Sequence, residues 1–248
     1  SVSNYINNKG YVSAKARERI EKAIKELNYQ PNVLARSLKS KRSNTIGVLF
    51  PEVDNSFPST IIHNIEHVAR ANGYDIILCI TDNDPEKERN YIKSLKNRFV
   101  DGFIINPTIE LDGDEYNELS GENVVYVHRC TSFPGQDKVC VKLDNSKGVR
   151  LGFEYLFELG HCDIGIIRGH GTTTCSERYE HLDQLMKKHN IPLQDRFVAV
   201  ALDYTEYYGY ITTKELLNRG TLPTAIFSLC GGLSIGALKA VKEAGLHI

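Results

Sequence analysis

The 248-residue sequence predicts an α/β protein of parallel sheets with helices on both faces, preceded by a small helical segment. Three observations predict it. From residue 46 onward, short apolar runs alternate with stretches of helical periodicity, the pattern of repeated strand-and-helix units. Before that, two helical stretches follow one another with no strand between them, broken by Pro31 and closed by the polar stretch 39–44. The charge divides at the same place. Residues 1–42 hold ten Lys/Arg and three Asp/Glu, and the remainder twenty and twenty-eight, so the net charge of -1 conceals a basic start on an acidic body. Charge alone leaves a nucleic-acid-binding arm and a plain solvated helix equally open.

Each element has its own signal. Ser13 is the expected N-cap of a helix over 14–28, whose apolar stripe is Ala16, Ile20, Ala23, Ile24 and Leu27. The stripe needs partners, and Val2, Tyr5 and Ile6 are the nearest. Asn32 caps a second short helix over 33–38. The apolar run 46–50 is a buried strand. A helix over 59–71, a strand over 74–80 and a helix over 85–97 follow, with Pro85 allowed in the first turn. Strands are expected at 103–105 and 124–128, a helix at 147–159 and a strand at 164–167. Helix 176–189, strand 198–201, helix 206–218, strand 225–228 and helix 234–244 complete the series. Such sheets bind ligands beyond the carboxyl ends of their strands.

Composition narrows the function classes. The hydrophobic fraction of 41% and charged fraction of 25% are those of an ordinary globular chain. No stretch has the apolar length to span a bilayer, and no basic-then-apolar start marks export. A cytoplasmic location without a membrane partner is expected. The six cysteines form no CxxC pair, which argues against a zinc ribbon or a redox motif, and reduced thiols are expected. Gly169-His-Gly-Thr-Thr-Thr lacks the GK[ST] ending of a phosphate loop, no Ser sits in a GxSxG elbow, and His161 and His170 lack metal-ligand spacing. No enzyme activity, cofactor or metal is expected.

A set of short blocks goes further. Ser1-Val-Ser-Asn-Tyr-Ile-Asn, Tyr11-Val-Ser-Ala-Lys-Ala-Arg-Glu-Arg-Ile, Glu26-Leu-Asn-Tyr-Gln-Pro-Asn and Ala35-Arg-Ser-Leu-Lys resemble the headpiece of the lactose-repressor (LacI/GalR) family, in its order and at its spacing. Phe50-Pro, Asp54-Asn, Gly73-Tyr, Val100-Asp-Gly, Leu159-Gly-His and Pro223-Thr-Ala extend the match. Within the family, Ala35-Arg-Ser-Leu-Lys-Ser-Lys looks closest to maltose-type repressors.

The resemblance implies a helix-turn-helix headpiece and hinge helix over 1–42. It also implies a two-lobed, periplasmic-binding-protein-like domain over 43–248 for effector binding and dimerisation. Residues 1–7 would then lie in the major-groove recognition helix. Ser1, Ser3 and Asn7 would contact phosphate or groove, and Asn4 could pair with adenine. Tyr29 and Asn32 would position phosphates. Ala35 and Arg36 lie in the implied hinge helix, with Leu38 as a minor-groove wedge. The implied partners are operator DNA, a second copy of the chain and a mono- or disaccharide effector.

For the effector, the resemblance implies Phe57 as a stacking ring, His128 where sugar-binding members often carry Asp, and Asp144 on the cleft side. Arg178 is the implied clamp, suited by its fixed donors to hydroxyl-rich ligands, and Tyr204 an aromatic platform. The structural alternatives are core rings for Phe57 and Tyr204 and a surface ion pair for Asp144 with Arg178. Several positions depart from the family pattern. Pro58 replaces an aromatic or small residue and His181 a Gly. Leu229-Cys-Gly-Gly-Leu stands where an Asn-Asp pair often bonds the ligand, and neither Cys230 nor Gly231 supplies a carboxylate. The chain opens inside the implied recognition helix and stops after Glu243-Ala-Gly-Leu, so a fragment lacking both ends, with a truncated helix-turn-helix, is expected. A plain solute-binding module is the competing reading, opposed by the basic start.

Overall fold

The computed structural model describes residues 2–6, 10–27, 29, 42–54, 56–108, 119–130 and 139–248. It divides into two compact units, Ser1–Ser43 and Asn44–Ile248. Among the described residues no helix is long and apolar enough to cross a membrane.

The first unit contains α1 (Val2–Ile6) and α2 (Ala14–Glu26). Ser13 stands at the N-cap of α2 in extended geometry, but its side chain makes no capping bond. The stripe residues Ala16, Ile20 and Ile24 are only half-buried, and Leu27 is exposed. Tyr5 of α1 ties the helices together. Its hydroxyl donates to Glu21 Oε1 at 2.6 Å, and the Arg17 guanidinium lies 5.5 Å over its ring.

The second unit holds two parallel sheets. The first runs β1 (Thr45–Phe50), β2 (Asp75–Ile80), β3 (Gly102–Ile105), β4 (Val124–Val127) and β5 (Val139–Val141), in spatial order β2-β1-β3-β4-β5. Its register is set by pairs such as Leu49 with Cys79 and Val48 with Ile104. Side chains alternate across β1. Val48 and Phe50 pack with Ile62 of α3 (Ser56–Ala71) on one face; Leu49 packs with Ile92 and Leu95 of α4 (Pro85–Asn97) on the other. The strand order reverses direction at β1, which opens a crevice between β1 and β3 at their carboxyl ends.

The second sheet has order β7-β6-β8, from β6 (Ile164–Arg168), β7 (Val198–Val200) and β8 (Ala225–Ser228). Ile164 and Ile166 face Phe153 of α5 (Asn145–Glu158) and Leu182 and Met186 of α6 (Thr173–Lys188). Ile167 and Ala199 face Leu216 of α7 (Glu206–Leu217) and Leu233 and Ala237 of α8 (Gly231–Glu243). Helices α7 and α8 touch backbone to backbone. A Cβ on Gly209 would lie 2.3 Å from Leu233 O, and one on Gly236 would lie 2.0 Å from Glu206 O.

Several boundaries shift from the sequence expectation. Helix α3 starts at Ser56, which takes Phe57 and a buried Pro58 into its first turn, where proline's missing N–H costs nothing. Helix α6 begins at Thr173 because Thr172 caps it, its hydroxyl accepting from Cys175 N. Helix α8 begins at the glycines 231 and 232, poor helix formers, of which Gly232 packs against Tyr204 O. Strand β5 was not expected at all; three exposed residues give no readable period. The expectation of six reduced thiols fails for one pair. Cys130 and Cys140 are joined in a disulfide whose Cα atoms stand 6.1 Å apart, a spacing the bond needs. The other four cysteines are free.

Candidate functional site

The carboxyl ends of both sheets bring polar side chains together. From the first sheet come Asn106 and Thr108 after β3 and His128 and Arg129 after β4. From the second come Thr172 after β6, Tyr204 after β7, the β8–α8 junction at Leu229 and Cys230, and Arg178 from the second turn of α6.

Arg178 is the most connected of these. Its Nε donates to Asn145 Oδ1 at 2.9 Å and its Nη1 to Leu229 O at 2.7 Å, so it bridges the start of α5 and the end of β8. Asn145 is buried and also donates to Glu177 Oε2 at 2.7 Å. Burial pushes Glu177 up, but the hydrogen bonds from Asn145 and Lys142 outweigh it and hold the carboxyl below its usual range.

His128 adopts a left-handed backbone, φ 65°, and its N–H donates to Val141 O at 2.8 Å. Its ring meets Phe57 edge-on, with centroids 4.9 Å apart. Burial, with help from the nearby Arg129 and Arg178 charges, lowers its pKa to about 4, so the imidazole is neutral at pH 7. Phe57, in the first turn of α3, remains 42% exposed. Arg129 is only 9% exposed. Its Nη1 donates to Asn83 Oδ1 at 2.9 Å and to Pro107 O at 3.1 Å. Burial pushes the guanidinium down, opposed by Tyr204, Glu52 and Glu88.

Tyr204 is clamped from the second sheet. Its hydroxyl donates to His170 O at 2.7 Å and pairs with Thr172 Oγ1 at 2.9 Å. Its ring covers Gly169, where a Cβ would lie 2.4 Å from it. Burial raises its pKa. Among the described residues, five buried polar atoms here have no protein partner: Asn106 Oδ1, Thr108 Oγ1, His128 Nδ1, Arg129 Nε and Arg168 Nε. Buried polar atoms are normally paired, so this concentration makes the carboxyl ends of β3, β4 and β6 the candidate ligand site.

The structure thus brings Phe57 to His128, and it sets His128 near Arg178 and Arg129 near Tyr204. Asp144 is the exception. It is exposed and caps α5, its Oδ1 accepting from Lys147 N at 2.9 Å, and the residue that reaches Arg178 is its neighbour Asn145. Arg129, Asn145, Arg168 and Thr172 were not anticipated. An Arg directly after an apolar strand was the one readable signal, and it was present at both 129 and 168. A groove of about 230 Å³ lined by Ser146, Arg150, His181, Gln184, Leu185 and Lys188 contains none of these residues.

In the first unit Asn4 is exposed on α1 and Tyr29 is half-exposed. Ser3 lies in α1, its side chain not described. Ser1, Asn7, Asn32, Ala35, Arg36 and Leu38 lie outside the described residues.

Two parallel sheets with polar side chains at their carboxyl ends have the architecture of a ligand-binding domain of the periplasmic-binding-protein type. Comparison with known proteins agrees. Residues 43–248 match the family "Periplasmic binding proteins and sugar binding domain of LacI family", and residues 1–32 match "Bacterial regulatory proteins, lacI family". The chain is 35% identical to the ribose operon repressor of Halalkalibacterium halodurans, covering 100% of this chain and 72% of that protein. It is 32% identical to the transcriptional repressor PurR of Actinobacillus pleuropneumoniae, covering 100% and 74%. Among solved structures it is similar to the lac repressor dimer bound to operator and the anti-inducer ONPF, with a TM-score of 0.87, 27% identity and coverage of 100% and 74%. The chain belongs to the LacI family and is a DNA-binding transcriptional regulator.

Proposed function

We propose that this chain is a cytoplasmic repressor of carbohydrate-utilisation genes, without enzymatic activity, that binds operator DNA as a homodimer and changes its grip when a sugar enters the cleft. The observation that carries the reading is the Arg178 bridge between Asn145 and Leu229, set among Phe57, His128, Arg129 and Tyr204. A planar donor fork beside an exposed ring is the chemistry a polyhydroxy ring needs. In this reading residues 1–42 are the DNA-reading headpiece and hinge. Asn4 reads a base; Ser1, Ser3, Asn7, Tyr29 and Asn32 hold phosphates or groove; Ala35, Arg36 and Leu38 enter the minor groove. Residues 43–248 bind the effector, with Asp144 acting through the start of α5. The lac repressor dimer with operator and ONPF, and a CelR–cellobiose complex of the same fold, are the solved relatives that support it.

The test is selection of binding sites from a random duplex pool by this chain. An inverted-repeat motif, released or tightened by a sugar, is the expected result. Binding without sequence preference would overturn the reading.

A further inference from the structure

The Cys130–Cys140 disulfide stands where a change in it reaches the candidate ligand site. Cys140 is the middle residue of β5 and lies opposite Tyr126 in the ladder, whereas Cys130 lies beyond Val127, the last residue of β4. The bond therefore ties β5 to the segment that follows β4 rather than to the strand itself. His128 and Arg129 are held between two ties, the Val127–Val141 pair before them and the disulfide after them. The bond from His128 N–H to Val141 O, made from a left-handed backbone, falls in the same interval.

At its other end β5 leads into the second sheet's share of the site. Lys142, the next residue, bonds Glu177 at 3.0 Å; Glu177 accepts from Asn145, and Asn145 accepts from Arg178. A shift of β5 thus acts on His128 and Arg129 from one side and on the Arg178 bridge from the other.

Three properties suit this bond to reversible chemistry. Cys140 is exposed and Cys130 half-buried, so both sulfurs are within reach of small reagents, whereas Cys79 and Cys175 are buried. The strand it holds is weak: three exposed residues at the edge of the sheet, with β4 as its one neighbouring strand. Elements with so little burial open locally at small cost, so a covalent tie changes how often they do. Disulfides are also rare where DNA is kept, because thiol buffers hold cysteines reduced there, and those that form are mostly transient or redox-sensing.

We propose that Cys130 and Cys140 form a thiol switch, closed by a hydroperoxide and opened by a dithiol, that fixes or frees β5 and with it the positions of His128, Arg129 and the start of α5. In closing, one thiolate takes the terminal oxygen of the hydroperoxide; the O–O bond breaks, and an alcohol or water leaves with one thiol proton. The second thiol attacks the resulting sulfenic acid, the S–S bond forms, and water leaves with the other proton. Two electrons pass from the sulfurs to the peroxide. In opening, a dithiol returns two electrons and two protons and becomes a cyclic disulfide. The switch rests on the β4–β5 geometry. Its bearing on an effector rests on the function proposed above, and the test uses no ligand, so the two can fail separately.

Hydrogen–deuterium exchange of the whole chain, after hydrogen peroxide or after dithiothreitol, tests it, with alkylation of free thiols to count the closed pair. The pair is expected to open and close repeatedly, and to pass from open to closed as glutathione buffers run from reducing to oxidising. In the open state the amides of His128 and β5 should exchange about tenfold or more faster, while those of β1 and β6 stay unchanged. Cys130→Ser and Cys140→Ser should show the fast exchange under both treatments. Cys162→Ser, which removes the exposed free thiol, should keep the two-state response. A pair that stays closed in every glutathione buffer, or that never closes, would overturn the switch. Equal exchange in the two states would remove its hold on the site, and faster exchange spread through β1 and β6 would make the bond a staple of the whole fold; either result refutes the proposal.

Discussion

Arg178 holds two neutral acceptors at once, Asn145 Oδ1 and Leu229 O, and its removal strands both. Arg178→Ala should lower stability by about 1–3 kcal/mol, the cost of unpaired buried acceptors, and abolish any ligand-induced rise in melting temperature. Arg178→Lys keeps the charge but loses the fork, so it should recover part of the stability and little of the ligand response. His128 gives a pH signature. Its folded pKa of about 4 lies below the ordinary value of 6.5, so between those values the unfolded chain takes up a proton that the folded chain refuses. The His128 contribution is therefore intact above pH 6.5 and is lost as the pH falls toward 4. Denaturation of the wild type and His128→Asn across this window should show the wild type losing more stability on acidification, and parallel curves would refute the burial of this ring.

At the scale of elements, α7 and α8 make the most demanding contact. Because a Cβ on Gly236 would overlap Glu206 O and the backbone at Gly209, Gly236→Ala must push the helices apart. We expect a loss of about 1–3 kcal/mol in chemical denaturation, more than the same change at Gly148, which faces open space. The Cys130–Cys140 bond joins the segment that follows β4 to the edge strand β5. Peptide mapping without reductant should recover this link and none involving Cys79, Cys162, Cys175 or Cys230. Legibility also differed by element. Helix α4 was readable at its start because Pro85 opens it, a local signal, and the structure adds Asp84 as its cap. The starts of α6 and α8 were not. Thr172-Thr-Thr and Gly231-Gly resemble loop composition, and only tertiary packing and a capping hydroxyl draw them into helix. The same limit applies to the cleft. Arg178 and Phe57 lie in motifs, whereas Asn145 and Arg129 acquire meaning only once two separate strands end side by side.

For the whole molecule, the first 42 residues are basic and the remainder acidic. Binding to duplex DNA should fall steeply with salt, by a factor of ten or more between about 50 and 200 mM, because phosphate contacts release counterions. Sugar binding to the cleft should change far less if the ligand is neutral. Running both titrations on one preparation separates the two activities, and a salt-independent DNA affinity would contradict a phosphate-contacting headpiece. Fold class was readable from periodicity alone, since helix and strand signals alternate through most of the second unit. The division of the strands into two sheets was not, because nothing local distinguishes a strand that joins β1 from one that joins β6.

His128, Cys230 and Gly231, beside the cleft, all follow the last residue of a strand rather than sit within one. Changing them disturbs no ladder register and removes little from either core. A chain built this way can be retuned to a new signal by a few substitutions while its scaffold keeps its stability. One architecture can thereby serve as the sensor for many different nutrients.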